Sequence, residues 1–419
     1  MTDPTPSRRS FLSSLGALSA LGLLTKPARA ANRDSESPTD GNAQPALGLA
    51  APGDFSFAPG LTYLQTGSLG PTPRPVIDKT IAAWRELETD PAAFGYGAHE
   101  EAMEVVRAKA AAFIGCATEE LVLTNCTTEG MNWTAQGLTF ADGDRVLTTD
   151  QEHPGGRVGW DYVARRYGVL LDVVSIPPGE NNPQAIIERF AKQITPRTRV
   201  LSFSHVLTST GFRMPVAELS ALARSRGCLT VVDGAQAVGG IEVNVKALGC
   251  DVYATSGHKW LIAPKGTGLL YLSASLGRTI DPIALESGRH AYSASSGVCS
   301  LPSVLGLGAT FDYQLAIGKA RIEAYNLALR DRLYEALKRV PKIRVVSAAP
   351  GPLTTPLHTY ELPASINGGA FRQRLIDKYH IEVKAVPANF MNGHRISTHL
   401  FNTERDVEAL VSALYTELA

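Results

Sequence analysis

Two short segments hold the residue types that could do covalent chemistry. The first is Thr230-Val231-Val232-Asp233-Gly234-Ala235-Gln236, an apolar run that ends on an acid. The second, Ser256-Gly257-His258-Lys259-Trp260, follows the next apolar run. A lysine amine can capture an aldehyde as a Schiff base. A buried acid with no evident structural partner can hold a ring nitrogen protonated, so that the ring accepts electrons from a substrate carbon. Together these two functions are what pyridoxal 5'-phosphate (PLP) requires of a protein. The bland alternative, a surface lysine beside a turn, does not account for the acid in the preceding segment.

Such residues need a scaffold that brings separate segments to one edge. From Glu100 the chain alternates helical and strand patterns. Helices are predicted at Glu100–Ile114, Glu129–Leu138, Gln184–Ile194 and Val216–Arg226. Seven strands are predicted at Leu121–Thr124, Arg145–Thr149, Val169–Ile176, Val200–Ser204, Thr230–Asp233, Asp251–Ala254 and Gly268–Tyr271. Alternation of this kind implies an α/β fold with a mostly parallel seven-stranded sheet covered by helices. A continuous helical pattern from about Thr310 to Val340 leads into short strands (Ile343–Val346, Ile381–Ala385, Arg395–His399) and a last helix, Glu404–Leu418. The expected layout is a large domain over residues 54–310, then a linking helix and a smaller α+β C-terminal domain over 311–419. Ligands of open α/β sheets bind beyond the carboxyl ends of the strands. Thr127, Thr128, His153, Asp233, Gln236 and Lys259 all fall at or after the ends of predicted strands.

With these motifs in order, the region from Tyr63 to the C-terminus resembles the class V aminotransferase superfamily of fold-type I PLP enzymes, in its isopenicillin-N-epimerase-like branch. The resemblance implies that Lys259 carries the Schiff base and that Asp233 faces the pyridine nitrogen. Thr124-Asn125-Cys126-Thr127-Thr128-Glu129-Gly130 looks like the family's phosphate loop. There Thr127 and Thr128 would present hydroxyl and N–H groups at a helix start, where the dipole favours an anion. Threonine pairs are also ordinary helix caps. By the same resemblance His153 stacks on the ring, Ser256 and His258 bind the phosphate, and Gln236 reaches the phenolic oxygen. Thr208 stands where many relatives have Asn and would donate to that oxygen through its hydroxyl. Arg395 matches the arginine that grips a substrate carboxylate, a task suited to a guanidinium fork. Val298 departs from the family's Gly-Thr element, which reaches the partner subunit of a homodimer. His205 reads as structural.

Composition excludes other classes. Lys+Arg and Asp+Glu balance at 40 each, so no basic surface is available to neutralise nucleic-acid phosphates. The five cysteines show no CxxC spacing or Cys/His cluster, and no metal site is expected. Leu123–Gly130 lacks the glycine pattern of a nicotinamide-binding fold. Ser7-Arg8-Arg9-Ser10-Phe11-Leu12, a short apolar run and Ala28-Arg29-Ala30 resemble a twin-arginine export signal over residues 1–30. A flexible linker is expected over 31–53. Periplasmic or secreted localisation, passage through the twin-arginine machinery and no stable membrane span after cleavage follow.

The implied function is a PLP-dependent reaction at the amino group of an α-amino acid or aminoacyl group on a small molecule or peptide. The alternative outcomes are epimerisation or decarboxylation. Export and family together resemble the periplasmic PLP enzymes that tailor the glutamyl side chain of pyoverdine siderophores. Cysteine desulfurases accept sulfur on a cysteine of the C-terminal domain, and no cysteine follows Cys299, which argues against that activity. A catalytically inactive binding protein of the same fold would be expected to lack Lys259 or Asp233. Exchanging Arg8 and Arg9 for Lys is expected to strand the protein in the cytosol, as read by cell fractionation. Undiminished periplasmic protein would refute the export reading.

Overall fold

The computed structural model describes residues 48–419. The export signal expected over 1–30 and most of the linker expected over 31–53 lie outside the described residues. After a two-residue strand β1 (Thr62–Tyr63), the large sheet is built from β2 (Leu121–Thr124), β3 (Arg145–Thr149), β4 (Leu170–Val174), β5 (Thr198–Ser204), β6 (Leu229–Asp233), β7 (Val252–Ser256) and β8 (Gly268–Leu272). Their order is β2-β8-β7-β6-β5-β3-β4. The run from β4 to β7 is parallel, while β8 lies antiparallel to both β7 and β2. This is the mostly parallel seven-stranded sheet read from the sequence.

Side-chain alternation divides this sheet between two cores. Val146, Val200, Val231 and Val252 point to one face, where Met131, Ala135, Trp160 and Val163 cover them. The covering residues come from helices Thr127–Gly137 and Pro154–Tyr167. Leu147, Leu201, Val232 and Tyr253 point to the other face, against Ile186, Phe190, Leu219 and Phe311. Burial on both faces explains why the central strands read as continuous apolar runs. Each large side chain so buried contributes about 1.5–3 kcal/mol. The Trp160 indole N–H, which would otherwise be stranded in the core, donates to Ser202 Oγ at 2.8 Å.

A second sheet has the order β12-β13-β10-β9 and is antiparallel throughout. It consists of β9 (Arg344–Val345), β10 (Leu357–Glu361), β12 (Lys384–Ala385) and β13 (Gly393–Ser397). The remaining strand, β11 (Ile381–Glu382), pairs in parallel with β1. The single strand expected at Ile381–Ala385 is therefore split between two partners, and the crossover falls at the fully buried Val383. Strand β10 escaped the sequence pattern because Leu357, His358, Thr359 and Tyr360 are all buried, so no apolar–polar alternation marks it.

The long helix expected from Thr310 to Val340 is two helices, Leu301–Ile317 and Lys319–Leu337. Gly318 separates them at φ 99° and ψ 124°, a backbone region nearly closed to residues with a Cβ. The apolar spacing continues across the glycine, and so did not reveal the break. Gly318→Ala is expected to destabilise the fold by about 1–3 kcal/mol. Chemical denaturation would show this as a lowered midpoint.

Candidate active site

The carboxyl ends of β5, β6 and β7 meet helix starts at one edge of the large sheet. The side chains there enclose a cavity of about 480 Å³, within the range of small-molecule sites. Thr127, Thr128, His153, Thr208, Asp233, Gln236, Ser256, His258, Lys259 and Arg395 all line it. Every residue proposed from the sequence as part of the site is thus brought to the same cavity, although Arg395 comes from the second sheet. His205 does not line it. Its Nδ1 lies 2.9 Å from the Tyr253 hydroxyl, and burial pushes its pKa down to about 3.

Asp233 is the last residue of β6 and is 5% exposed. Its Oδ1 accepts the Ala235 N–H at 2.9 Å, while Oδ2 receives no hydrogen bond from a described residue. Burial raises its pKa, opposed chiefly by the nearby Lys259 charge. Gly156 lets the first turn of the Pro154–Tyr167 helix pass close to this carboxylate, since a Cβ there would lie 2.5 Å from Oδ2. Lys259 follows β7, and its side-chain amine makes no hydrogen bond with a described residue. Burial lowers its amine to about 8, with Arg395 adding to the shift and Asp233 opposing it.

Beside them, Ser256 is tied to the start of the Thr127–Gly137 helix. The Thr127 N–H donates to Ser256 Oγ at 2.9 Å, and the two hydroxyl oxygens are 2.7 Å apart. The Thr127 N–H is therefore already engaged, and the anion-facing donors that remain are later first-turn N–H groups and the hydroxyls. Burial, then Lys259 and Lys265, lower the pKa of His258. On the opposite side His153 caps its helix, its Nδ1 accepting from the Gly155 N–H at 3.0 Å. That bond places the proton of the neutral ring on Nε2. Burial lowers the pKa of this imidazole as well, with Lys259 as the next cause.

Gln236 is held at both ends of its amide. Its NH2 donates to the Gly67 carbonyl at 2.7 Å, and its Oε1 accepts from the Trp260 indole at 2.8 Å. One amide hydrogen is left to face the cavity. The loop that holds Gly67 rests on the lysine segment: the Gly70 N–H donates to the His258 carbonyl at 2.7 Å. A Cβ on Gly70 would sit 2.0 Å from the Lys259 carbonyl oxygen, so only glycine allows this approach.

Arg395, in β13, is 6% exposed. Its Nη1 donates to Thr208 O at 3.0 Å and to Thr208 Oγ1 at 2.8 Å, and its Nη2 donates to Ser68 Oγ at 3.0 Å. Its Nε–H is buried without a partner among the described residues. Thr208 therefore orients the guanidinium, while its own hydroxyl hydrogen remains free.

Three lining residues with ionisable side chains were not singled out from the sequence. Glu152 accepts from the Ser204 N–H (3.2 Å) and from the hydroxyls of Ser204 and Thr149 (2.6 Å each). Burial pushes it up to about 7, with Asp233 adding to the rise. Its place immediately before His153 was the available signal. Lys384 and Cys126 also line the wall, with no marker in their local sequence.

Residues 62–410 match the family described as Aminotransferase class-V. The chain belongs to the class V aminotransferases. It is a PLP-dependent enzyme with the fold-type I architecture. An isopenicillin N epimerase from Amycolatopsis lactamdurans is 32% identical over 381 residues, covering 86% of this chain and 96% of its own. A cysteine desulfurase from Salmonella gallinarum is 32% identical over 394 residues, covering 84% and 92%. Among solved structures, a C-DES mutant with glycine covalently linked to its PLP cofactor superposes with a TM-score of 0.77 at 22% identity, covering 85% of this chain and 97% of that one.

The cavity of this enzyme fits PLP by its donor set. The unpartnered Oδ2 of Asp233 suits a protonated ring nitrogen, the Lys259 amine suits an aldehyde, and the Thr128–Ser256 side offers hydroxyls for a phosphate. Only the neutral amine attacks an aldehyde, so uptake of PLP by the apoenzyme is expected to speed up as pH rises and to level off above about pH 8, where Lys259 is deprotonated. Stopped-flow absorbance would check this. Lys259→Ala should never develop absorbance that borohydride abolishes.

Proposed function

We propose that the enzyme carries out PLP chemistry at the α-carbon of an α-amino acid, or of an aminoacyl end, whose free carboxylate is held by Arg395. One observation carries this reading. Arg395 lines the cavity that holds Lys259, and its guanidinium is tethered by Thr208 and Ser68, with a buried Nε–H that finds no partner among the described residues. A buried donor left unpaired in this way costs energy until an acceptor arrives. The Nε–Nη2 edge of a guanidinium matches a carboxylate through two parallel hydrogen bonds.

When bound, PLP supplies an aldehyde for a lysine amine and a ring that takes up the electron pair left at Cα when one of its bonds breaks. Arg395 fixes the carboxylate and so restricts rotation about the bond from it to Cα. The Lys259 amine, lowered into the neutral range, removes and returns a proton at Cα. Asp233 would balance the charge of a protonated ring nitrogen. His153 would stack on the ring as a neutral imidazole and limit water. Thr127, Thr128, Ser256 and His258 would hold the phosphate, and Thr208 and Gln236 would donate toward the phenolic oxygen. Export by the arginine-pair signal would place this chemistry in the periplasm or outside the cell.

Epimerisation is the specific outcome favoured by the isopenicillin N epimerase likeness, which spans nearly the whole relative. The Salmonella desulfurase is as similar in identity. However, residues 300–419 contain no cysteine to accept sulfur. Cys126, the one cysteine at the cavity wall, sits at the cap of the Thr127–Gly137 helix on the large-sheet side.

Incubation with D- and L-amino acids separates the outcomes. Inverted optical activity with the visible absorbance retained supports epimerisation, whereas release of pyridoxamine phosphate on denaturation supports transamination. Arg395→Ala should weaken substrate binding by about 10–100-fold, the range expected for losing a charged hydrogen-bond pair, while the visible absorbance of the cofactor persists. Loss of that absorbance in Arg395→Ala would contradict the assignment.

A further inference from the structure

The cavity contains one more cation than the chemistry above employs. Lys384 and Arg395 are direct cross-strand partners in the antiparallel pair β12–β13. Side chains at such positions leave the same face of a sheet, with Cβ atoms about 4.5–5.5 Å apart. Both line the cavity, but at different depths: Arg395 is buried and Lys384 is exposed. A molecule anchored on Arg395 therefore extends outward past the Lys384 ammonium.

No described residue neutralises Lys384. Its ammonium forms no ion pair or hydrogen bond with a described residue, and the charged groups that act on it are Arg395 and Arg372, both cations. The acid closest along the chain, Glu382, is engaged by Arg372 at 2.7 Å and by Gln65 at 3.3 Å. The acids of the cavity wall are Asp233 and Glu152. Asp233 is at the foot of the site, and Glu152 is committed to Ser204 and Thr149. The residues expected to hold the phosphate, Thr127, Thr128, Ser256 and His258, lie at or just after the ends of large-sheet strands. An ammonium beside a second cation with no counter-charge is an arrangement that a ligand anion would relieve.

We infer that Lys384 is a specificity-determining residue that receives a second acidic group, so that the preferred substrate is an α-amino acid end with another carboxylate a few carbons from the one on Arg395. This rests on the assignment of Arg395 made above and adds the class of substrate to it.

Amine-free acids test the idea without turnover. Glutarate carries two carboxylates and butyrate carries one, and neither can react at Cα. Calorimetric titration of the holoenzyme is expected to show glutarate binding about fivefold tighter than butyrate, the gain typical of one partly exposed ion pair. Lys384→Met should abolish that preference, and Lys384→Glu should reverse it. An unaltered glutarate preference in Lys384→Met overturns the inference. So does an equal loss for both acids, which would mean that Lys384 shares the first carboxylate. Arg395→Lys should weaken both acids. If it weakens neither, the Arg395 reading fails, and that result is distinguishable from a failure confined to Lys384.

Discussion

The site depends on holding an aspartate and a lysine close together where water is scarce. Asp233 ends β6 and Lys259 lies just past the end of the adjacent parallel strand β7. Each perturbs the other: the lysine charge opposes the rise in the Asp233 pKa, and the aspartate opposes the fall in the Lys259 pKa. Burial is the larger influence on both, and it leaves an amine able to act as a nucleophile and base near neutral pH. A surface pair of the same residues would keep ordinary pKa values and be screened by solvent. The doubly covered sheet is what makes the difference, because its apolar faces keep water from the strand ends.

Around that pair, the wall is assembled from segments that each satisfy one another before any ligand arrives. Ser256 is tied to Thr127, Gln236 spans Gly67 and Trp260, and Arg395 is clamped by Thr208 and Ser68. Asp233 Oδ2, the Lys259 amine, one Gln236 amide hydrogen and the Arg395 Nε–H are among the groups left without a partner among the described residues. Preorganisation of this kind lowers the ordering cost of binding, since the side chains are already immobile. It also makes the loop at Gly67–Gly70 part of the site, through contacts with Gln236, His258 and Arg395.

In the proposed reading, the second sheet supplies the residues that would select the substrate. The lysine, the aspartate and the phosphate side all belong to the large sheet and suit any reaction of the cofactor. Arg395 and Lys384 come from β13 and β12, which form the outer wall. This division agrees with relatives named both as epimerases and as desulfurases at the same identity.

Strand and helix patterns in the sequence were sufficient for the seven-stranded sheet, because its central strands are apolar runs bounded by amphipathic helices. The ten candidate site residues were named from local motifs and the family resemblance, and the structure brings all ten to one cavity. The break at Gly318, the split at Val383 and the polar strand β10 were not legible, since apolar spacing continues through the first two and is absent from the third. Nor were Glu152 and Lys384, whose importance comes from neighbours distant in the chain. Local sequence records which residue types a strand end presents. Only tertiary packing sets which strand lies opposite which, and therefore whether a charge is buried, paired or left to meet a ligand.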